Sequence, residues 1–294
     1  MAHVRTDLLD IAYEYGGPEN GPFLLLLHGW PDDATTWRRV TPQLEAAGFR
    51  WAAPWLRGFG ETRFRNSATF RDGTAAALAQ DALDFVGALG VDRFGVVGHD
   101  WGARVAYTLS ALVPDRLDGI AALSLGHVSN GVFKVPPYEQ SRAWWYQWFM
   151  ANDLGRDEVA EDPIGFTRLL WDTWAPAGWY KPDEFEEVAR SFLNPDWLAI
   201  TFHSYRSRWR PEDPKDPRYD GLRNKVREVG VLGPPTLVIQ GLADGTVLPS
   251  STEGKDALFS GRYRRLALPD VGHFPTREAP EAVAAAVIEH FTAR

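Results

Sequence analysis

One short stretch of this 294-residue chain carries a carboxylate where a nucleophile would stand. Residues 94–104 combine an apolar run with Gly98 and Gly102, which lie two residues on either side of Asp100. This is the form of a nucleophile elbow, in which small neighbours permit so tight a turn that its central residue stands clear of the sheet. The N-terminal N–H groups of a following helix favour a negative charge there. Because Gly-x-Asp-x-Gly is also common in ordinary loops, its meaning depends on the rest of the chain.

Two more ionisable residues follow apolar segments later in the chain. Asp244 lies in a Gly-Leu-Ala-Asp-Gly turn, and His273 follows the next apolar segment and its turn. Reacting groups gather at the carboxyl ends of strands in open parallel sheets, so we expect both residues to meet Asp100. Asp244 could instead hydrogen-bond its own backbone, and His273 could be an ordinary polar loop residue. Asp100, Asp244 and His273 each follow an apolar segment, and this shared position favours a triad of nucleophile, acid and histidine.

A carboxylate nucleophile suits attack on a saturated carbon rather than on an acyl group. Asp100 would attack in line and become an alkyl ester. His273, held by Asp244, would then take a proton from the water that attacks the ester carbonyl. An ordinary esterase would need Ser at position 100, so that class is disfavoured.

The segments around these residues predict an α/β core that is interrupted by helices. Apolar runs of strand length alternate with helical patterns, which predicts a mostly parallel central sheet flanked by helices. The predicted strands are residues 23–27, 51–54, 94–97, 117–125, 235–241 and 264–268, and the helices between and after them are residues 37–47, 75–89, 104–112 and 279–291.

From about residue 132 to residue 223 the chain has no fully apolar strand. Aromatic-rich helical segments replace the strands, at residues 141–150, 162–174, 183–192 and 196–208. We therefore predict a core formed by residues 1–130 and 231–294, with an all-helical cap, or lid, at residues 131–230. The aromatic lid suggests bulky apolar substrates.

Composition argues against several classes of function. The chain has no Cys, which excludes disulfides, thiolate metal sites and Cys nucleophiles. Its net charge of −8 argues against a nucleic-acid or anionic-membrane partner. We find no signal-peptide pattern and no apolar run of about 20 residues, so we expect a cytoplasmic protein. No cluster of His and carboxylate residues has the spacing of metal ligands, so we expect neither a metal nor a cofactor. We expect either a monomer or a homodimer.

The chain resembles the α/β-hydrolase superfamily, and within it the branch of epoxide hydrolases and dehalogenases that uses Asp as nucleophile. The resemblance covers nearly the whole chain. It rests on His-Gly-Trp-Pro at residues 28–31, Gly-His-Asp-Trp-Gly-Ala at 98–103, the acid turn at Asp244 and Gly-His at 272–273, in the superfamily's order of nucleophile, acid and His. One departure is Trp55, where the family usually has Asp before an Arg-Gly-x-Gly turn.

The resemblance implies an α/β-hydrolase fold whose cap is inserted after the sixth strand. It further implies an oxyanion hole formed by the backbone N–H groups of Trp30 and Trp101. The residues expected to line the substrate pocket are His28, Pro31, His99, Trp145 and Phe149.

The leaving group separates the possible reactions. An epoxide oxygen leaves as an alkoxide and needs a proton, and the epoxide hydrolases that this chain resembles supply it from two lid tyrosines. Tyr146 in a Tyr-Gln pair and Tyr205 in a Tyr-Arg pair match them, although either could be a packing residue. We therefore expect hydrolysis of a small apolar epoxide by water to a vicinal diol.

Two other functions stay open. Haloalkane dehalogenases usually have Asn or Glu at the position of Trp30. Haloacetate dehalogenases carry Arg directly after the nucleophile and again three residues later, where this chain has Trp101 and Arg104. Dehalogenation of a haloalkane or haloacetate is therefore the alternative, and a non-catalytic ligand-binding α/β-hydrolase is a third reading.

Overall fold

The central sheet is built mainly from buried apolar strands. The computed structural model describes residues 1–127 and 133–293. Its strands, in chain order, are β1 (Ala2–Arg5), β2 (Leu9–Gly16), β3 (Phe23–Leu27), β4 (Arg50–Pro54), β5 (Arg63–Phe64), β6 (Phe94–His99), β7 (Leu117–Leu123), β8 (Thr236–Gly241) and β9 (Tyr263–Leu268). Eight of them lie side by side in the order β1-β2-β4-β3-β6-β7-β8-β9, and β5 pairs with β2.

The strands from β4 across to β9 pair in parallel, whereas β2 pairs antiparallel with both β1 and β4. Every residue of β3, β6 and β8 is buried, because helices cover both faces of the sheet centre. This is why these strands are continuous apolar runs. The predicted strands are all present, but β1, β2 and β5 were not predicted.

The core helices are α1 (Thr41–Ala46), α2 (Ala75–Ala88), α3 (Trp101–Leu112), α11 (Pro275–Glu278) and α12 (Pro280–Thr292). Two differ from the sequence prediction. A short 3₁₀ helix, Ala34–Trp37, precedes α1, so the predicted helix 37–47 is two pieces, and Pro42 stands in the first turn of the second. The helix α3 begins at Trp101, directly after Asp100.

Among the described residues, seven α-helices lie between β7 and β8. They are α4 (Tyr138–Ala143), α5 (Trp145–Ala151), α6 (Asp153–Glu161), α7 (Pro163–Trp174), α8 (Pro182–Ala189), α9 (Trp197–Trp209) and α10 (Asp220–Glu228). Leaving out the two-residue β5, the strand before them is the sixth, as predicted. The predicted fold class is therefore confirmed. The proposed boundary between residues 130 and 131 lies outside the described residues, and the domain limits stay a prediction. Across residues 1–127 and 133–293, no helix is long and apolar enough to span a bilayer.

Candidate active site

Asp100 stands at the tight turn between β6 and α3. Its φ of 48° lies in the left-handed region, which is uncommon for a residue with a side chain. A Cβ on Gly98 would overlap the carbonyl oxygen of Gly102, and a Cβ on Gly102 would overlap that of Leu27. Both glycines are therefore required by close backbone approach, and the sequence signature of the elbow corresponds to a real elbow.

The turn after β3 is hydrogen-bonded to this elbow. The backbone N–H of Trp30 donates to Oδ1 of Asp100 at 3.0 Å, and the N–H of Gly102 donates to the carbonyl of His28 at 3.1 Å. One carboxylate oxygen is thus fixed by a backbone donor. Trp101 is the first residue of α3, so its N–H belongs to the unpaired donors at a helix start.

Asp244 and His273 form a buried hydrogen-bonded pair next to the elbow. His273 Nδ1 lies 2.8 Å from Oδ2 of Asp244. The other oxygen of Asp244 accepts from the backbone N–H groups of Thr246 and Val247, at 2.9 and 2.8 Å. The two interpretations of Asp244 therefore coexist, because the turn bonds orient the carboxylate that holds the imidazole.

The carboxylates on either side of His273 govern its charge. Burial lowers the pKa of His273, but Asp244 and then Asp100 raise it, and the net pKa lies above the ordinary value for His. Its Nε2 lies 3.9 Å from Oδ2 of Asp100, which is longer than a hydrogen bond. The structure thus brings together all three predicted triad residues.

The sequence analysis missed Glu278, whose carboxylate holds the loop that carries His273. Its carboxylate accepts from the N–H of Gly272 at 2.6 Å and from the N–H of Phe274 at 2.8 Å, on either side of His273. Burial raises the pKa of Glu278, while these two bonds act in the opposite direction. The sequence signal that could have indicated this role was an acidic residue in the short helix after the Gly-His pair.

The two lid tyrosines, Tyr146 on α5 and Tyr205 on α9, lie close together. The rings of Tyr146 and Tyr205 are 5.4 Å apart at 84°, and both side chains are buried. The indole of Trp101 donates to the hydroxyl of Tyr205 at 3.1 Å, and the amide of Gln147 donates to the hydroxyl of Tyr146 at 3.0 Å. Burial first, and then the charge of Asp100, raises the pKa of Tyr146 to about 12. Both tyrosines are therefore neutral donors at ordinary pH, because the pKa of Tyr205 is also raised.

Trp30 links the elbow to the cap. Its ring stacks on Tyr146 at 5.6 Å and 10°, and meets the edge of Tyr205 at 5.1 Å. Its indole N–H donates to Oγ1 of Thr201 on α9 at 3.1 Å. The residue whose backbone holds Asp100 therefore also packs against both tyrosines.

Three of the predicted pocket residues lie around the triad, and each makes a hydrogen bond to another segment of the site. His28 accepts from the N–H of Leu56 at 3.0 Å, and Nε2 of His99 lies 2.6 Å from the carbonyl of His273. The carbonyl of Pro31 accepts from the Trp171 indole at 2.7 Å. Each of these contacts fixes a loop of the site.

Trp145 and Phe149 are not brought to the triad. They are 39% and 36% exposed and pack against each other. On α5, the buried face includes Tyr146 and Met150. Trp145 and Phe149 each precede one of these residues and therefore lie on a neighbouring face of the helix. Their predicted place in the pocket therefore has no support from the structure.

A cavity of about 1090 Å³ lies beside the tyrosines, between α3, the cap and the loop after Asp244. Arg104, Trp144, Arg208 and Val247 are among its lining residues, whereas the triad is not. In the part of the chain that is described, no group of three or more His, Asp or Glu side chains could hold a metal ion.

Trp55, the departure from the family pattern, is buried in the core. Its indole N–H donates to Oδ2 of Asp33 at 3.2 Å, and its ring fills the space that a side chain on Gly60 would need. The local loop packing is thus built around this Trp.

Comparison with known proteins gives a family match over most of the chain. Residues 22–280 match the model of the α/β hydrolase fold family. Epoxide hydrolase A of Mycobacterium tuberculosis is 27% identical, with 98% of this chain and 96% of that protein aligned. Epoxide hydrolase B of the same organism is 32% identical, but the match spans only 54% of this chain and 48% of that protein.

One solved structure and one further relative complete the comparison. A Klebsiella pneumoniae protein described as a candidate epoxide hydrolase is 32% identical and superimposes with a TM-score of 0.92, covering 99% of this chain and 96% of that chain. A fluoroacetate dehalogenase of a Burkholderia species is 28% identical, with 64% of this chain and 63% of that protein aligned.

Proposed function

The chain belongs to the α/β-hydrolase superfamily and to its epoxide hydrolase branch, and from this premise we propose that it hydrolyses epoxides to vicinal diols through a covalent ester on Asp100. The observation that carries the proposal is the pair of buried hydroxyls, Tyr146 and Tyr205, within the field of the Asp100 carboxylate. An alkoxide leaving group needs such donors.

The first step opens the ring. Because Oδ1 of Asp100 is held by the Trp30 N–H, Oδ2 is the oxygen that attacks an epoxide carbon. The new C–O bond forms as the epoxide C–O bond breaks, and the alkoxide oxygen takes a proton from the tyrosine pair. Their raised pKa values keep them protonated before this step.

The second step releases the diol. His273 accepts a proton from water as the hydroxide adds to the ester carbon of Asp100, and Oδ1 becomes an oxyanion facing the Trp30 N–H. Collapse breaks the bond from the ester carbon to Oδ2, which leaves with the diol and takes the proton back from His273. The proton left on the new carboxyl group restores the tyrosine hydroxyl.

Dehalogenation is the second candidate, because a halide could leave the same carbon without an acid. Two observations favour it: the Burkholderia relative is named a fluoroacetate dehalogenase, and Arg104 lines the adjacent cavity without an ion-pair partner within the described residues. The tyrosine pair has no necessary role in that reaction, so epoxide hydrolysis accounts for more of the site.

A paired assay tests the proposal. Purified protein and its Asp100→Ala variant are given an aryl epoxide in one arm, and a haloalkane and a haloacetate in the other. We expect diol formation that the variant loses. Halide release without diol would establish the dehalogenase instead, and no turnover in either arm would favour the non-catalytic reading.

A further inference from the structure

Gln147 is a buried residue of the cap that hydrogen-bonds one of the two tyrosines. It follows Tyr146 on α5, and it is only 2% exposed. Its amide Nε2 donates to the hydroxyl oxygen of Tyr146 at 3.0 Å. Its Oε1 accepts from Nη1 of Arg208 and Nε1 of Trp209, both at 3.4 Å and both on α9. The simplest consequence of these bonds is that Gln147 joins two helices of the cap.

The chemistry of these partners decides which way the amide of Gln147 points. A guanidinium and an indole can only donate hydrogen bonds, so Arg208 and Trp209 must both face the amide oxygen. The amide nitrogen therefore faces Tyr146, and this nitrogen can only donate. Because the hydroxyl oxygen of Tyr146 accepts this bond, its own proton is directed away from Gln147 and stays available for a ligand.

The surroundings of Tyr146 also favour the charge that it acquires when it gives up its proton. Burial first, and then the charge of Asp100, raises the pKa of Tyr146 to about 12. The side chains of Thr246 and Gln147, followed by the charge of Arg208, act to lower this pKa. Among the described residues Oγ1 of Thr246 has no hydrogen-bond partner, so the hydrogen bond to the tyrosine comes from Gln147. Hydrogen bonds to charged groups are the stronger ones, so this bond strengthens as the phenolate forms.

We propose that Gln147 is a positioning residue for ring opening, which directs the proton of Tyr146 at the leaving oxygen and stabilises the phenolate that remains. The inference rests on the proposed function and concerns its first step. As the epoxide C–O bond breaks, the O–H bond of Tyr146 breaks and its proton moves to the substrate oxygen. The electron pair left on the tyrosine oxygen faces the N–H of Gln147. Ester hydrolysis uses His273 instead and should not depend on Gln147.

The test uses two substitutions whose effects a helix-joining role and a positioning role would place in opposite order. In Gln147→Glu the side chain keeps its size and its partners on α9, but the ionised carboxylate accepts from the hydroxyl of Tyr146 and withholds its proton from the substrate. In Gln147→Met the donor is lost and the proton stays free. We expect ester formation with an aryl epoxide, measured by stopped flow, to fall about 10²-fold in Gln147→Glu and about 10-fold in Gln147→Met. Ester breakdown should stay within about 3-fold of that of the unaltered protein in both.

A double substitution shows whether the effect passes through the tyrosine. In a Tyr146→Phe background there is no proton to direct, so adding Gln147→Glu should change the remaining rate of ester formation by less than about 3-fold. Gln43→Glu, the same change on the core helix α1, is the matched control and should leave both steps unchanged. Thermal unfolding identifies a variant that has lost its fold, and the double substitution decides alone if Gln147→Met does not fold.

A second measurement needs no turnover. Acetophenone has a carbonyl that accepts a hydrogen bond and no group that donates one, so its binding reports on the free proton of Tyr146. Calorimetric titration should show binding that is weakened at least about 10-fold in Gln147→Glu and less in Gln147→Met. In the Tyr146→Phe background, adding Gln147→Glu should leave the affinity for acetophenone unchanged.

The outcomes separate this inference from the proposed function. Slower ester formation in Gln147→Met than in Gln147→Glu, equal slowing of ester formation and ester breakdown, or an undiminished effect in the Tyr146→Phe background would overturn the positioning role while leaving epoxide hydrolysis in place. Acetophenone binding in the expected order, in a protein that forms no ester with an epoxide, would support the role of Gln147 in directing the proton and reject the proposed function.

Discussion

Nε2 of His273 lies 3.9 Å from Oδ2 of Asp100, beyond hydrogen-bond reach, although its Nδ1 is held 2.8 Å from the acid partner. A carboxylate is already ionised and needs no base in order to attack. An imidazole at this distance suits a base that acts on water approaching the ester carbon. Ring opening and ester hydrolysis should therefore depend on different residues.

The substitution His273→Gln should leave ring opening intact and block release of the diol. With the base removed, we expect the ester on Asp100 to accumulate, and kcat to fall by about 10³-fold or more. Mass spectrometry of the intact protein after mixing with an aryl epoxide should show one added substrate mass. The adduct should be missing in Asp100→Ala, and rapid multiple turnover by His273→Gln would reject the mechanism.

The tyrosine pair should matter for epoxides and not for halides. Tyr146→Phe or Tyr205→Phe should each lower the rate of ring opening by about 10²-fold, because each removes one donor to the alkoxide oxygen, and the double variant should be inactive on epoxides. Stopped-flow measurement of ester formation gives this rate. Any halide release should change much less in the same variants. Near-normal epoxide turnover by the double variant would remove the lid assignment.

The pH dependence of diol release should follow the charge of His273. Only the neutral imidazole can take a proton from water, so the rate rises as pH increases through its pKa. Burial lowers this pKa and Asp244 raises it, so Asp244→Asn should move the acid limb of the pH–rate profile to lower pH while also slowing the reaction. Single-turnover rates of ester breakdown, measured as a function of pH, give the position of this acid limb. A limb that stays in place would show that Asp244 does not set this pKa.

Glu278 should act on the second step alone. Replacing its carboxylate with an amide in Glu278→Gln sets an N–H against the backbone N–H of Gly272 or Phe274, which loosens the loop that carries His273. We expect ester breakdown to slow about 10-fold with little change in ester formation. Glu281→Gln, an exposed residue in the first turn of α12, is the control. Equal slowing of both steps would point to a general loss of stability.

The sheet centre was predictable from the sequence, whereas its edge was not. Strands such as β6 and β8 are covered on both faces and are therefore continuous apolar runs. At the edge, β1 alternates between half-buried and exposed residues and contains His3 and Arg5, so no apolar run marks it. Asp100 and Asp244 were found because each follows such a buried strand, and His273 because it follows the half-buried edge strand β9 at the same carboxyl end of the sheet.

The rest of the site depends on contacts between distant segments. Gln147 and Arg208 are 61 residues apart in sequence, and nothing in either segment indicates that they meet. The prediction that Trp145 and Phe149 line the pocket was made without knowing which face of α5 is buried. The spacing of Tyr146 and Met150, one turn apart, defines that face only once the cap is packed on the core.

The buried ion pair of Arg57 and Asp81 should stabilise the contact between the cap and the core. Two nitrogens of Arg57 lie 2.5 Å from the oxygens of Asp81, and the same guanidinium bonds the hydroxyl of Tyr219, just before α10, at 3.1 Å. Replacing Arg57 with Gln strands a buried carboxylate, so we expect the free energy of unfolding to fall by about 3–5 kcal/mol. Breaking the exposed pair of Arg93 and Asp118 by Arg93→Gln should cost about 1 kcal/mol or less. Urea denaturation of both variants measures the difference, and equal losses would show that the buried pair has no special role in stability.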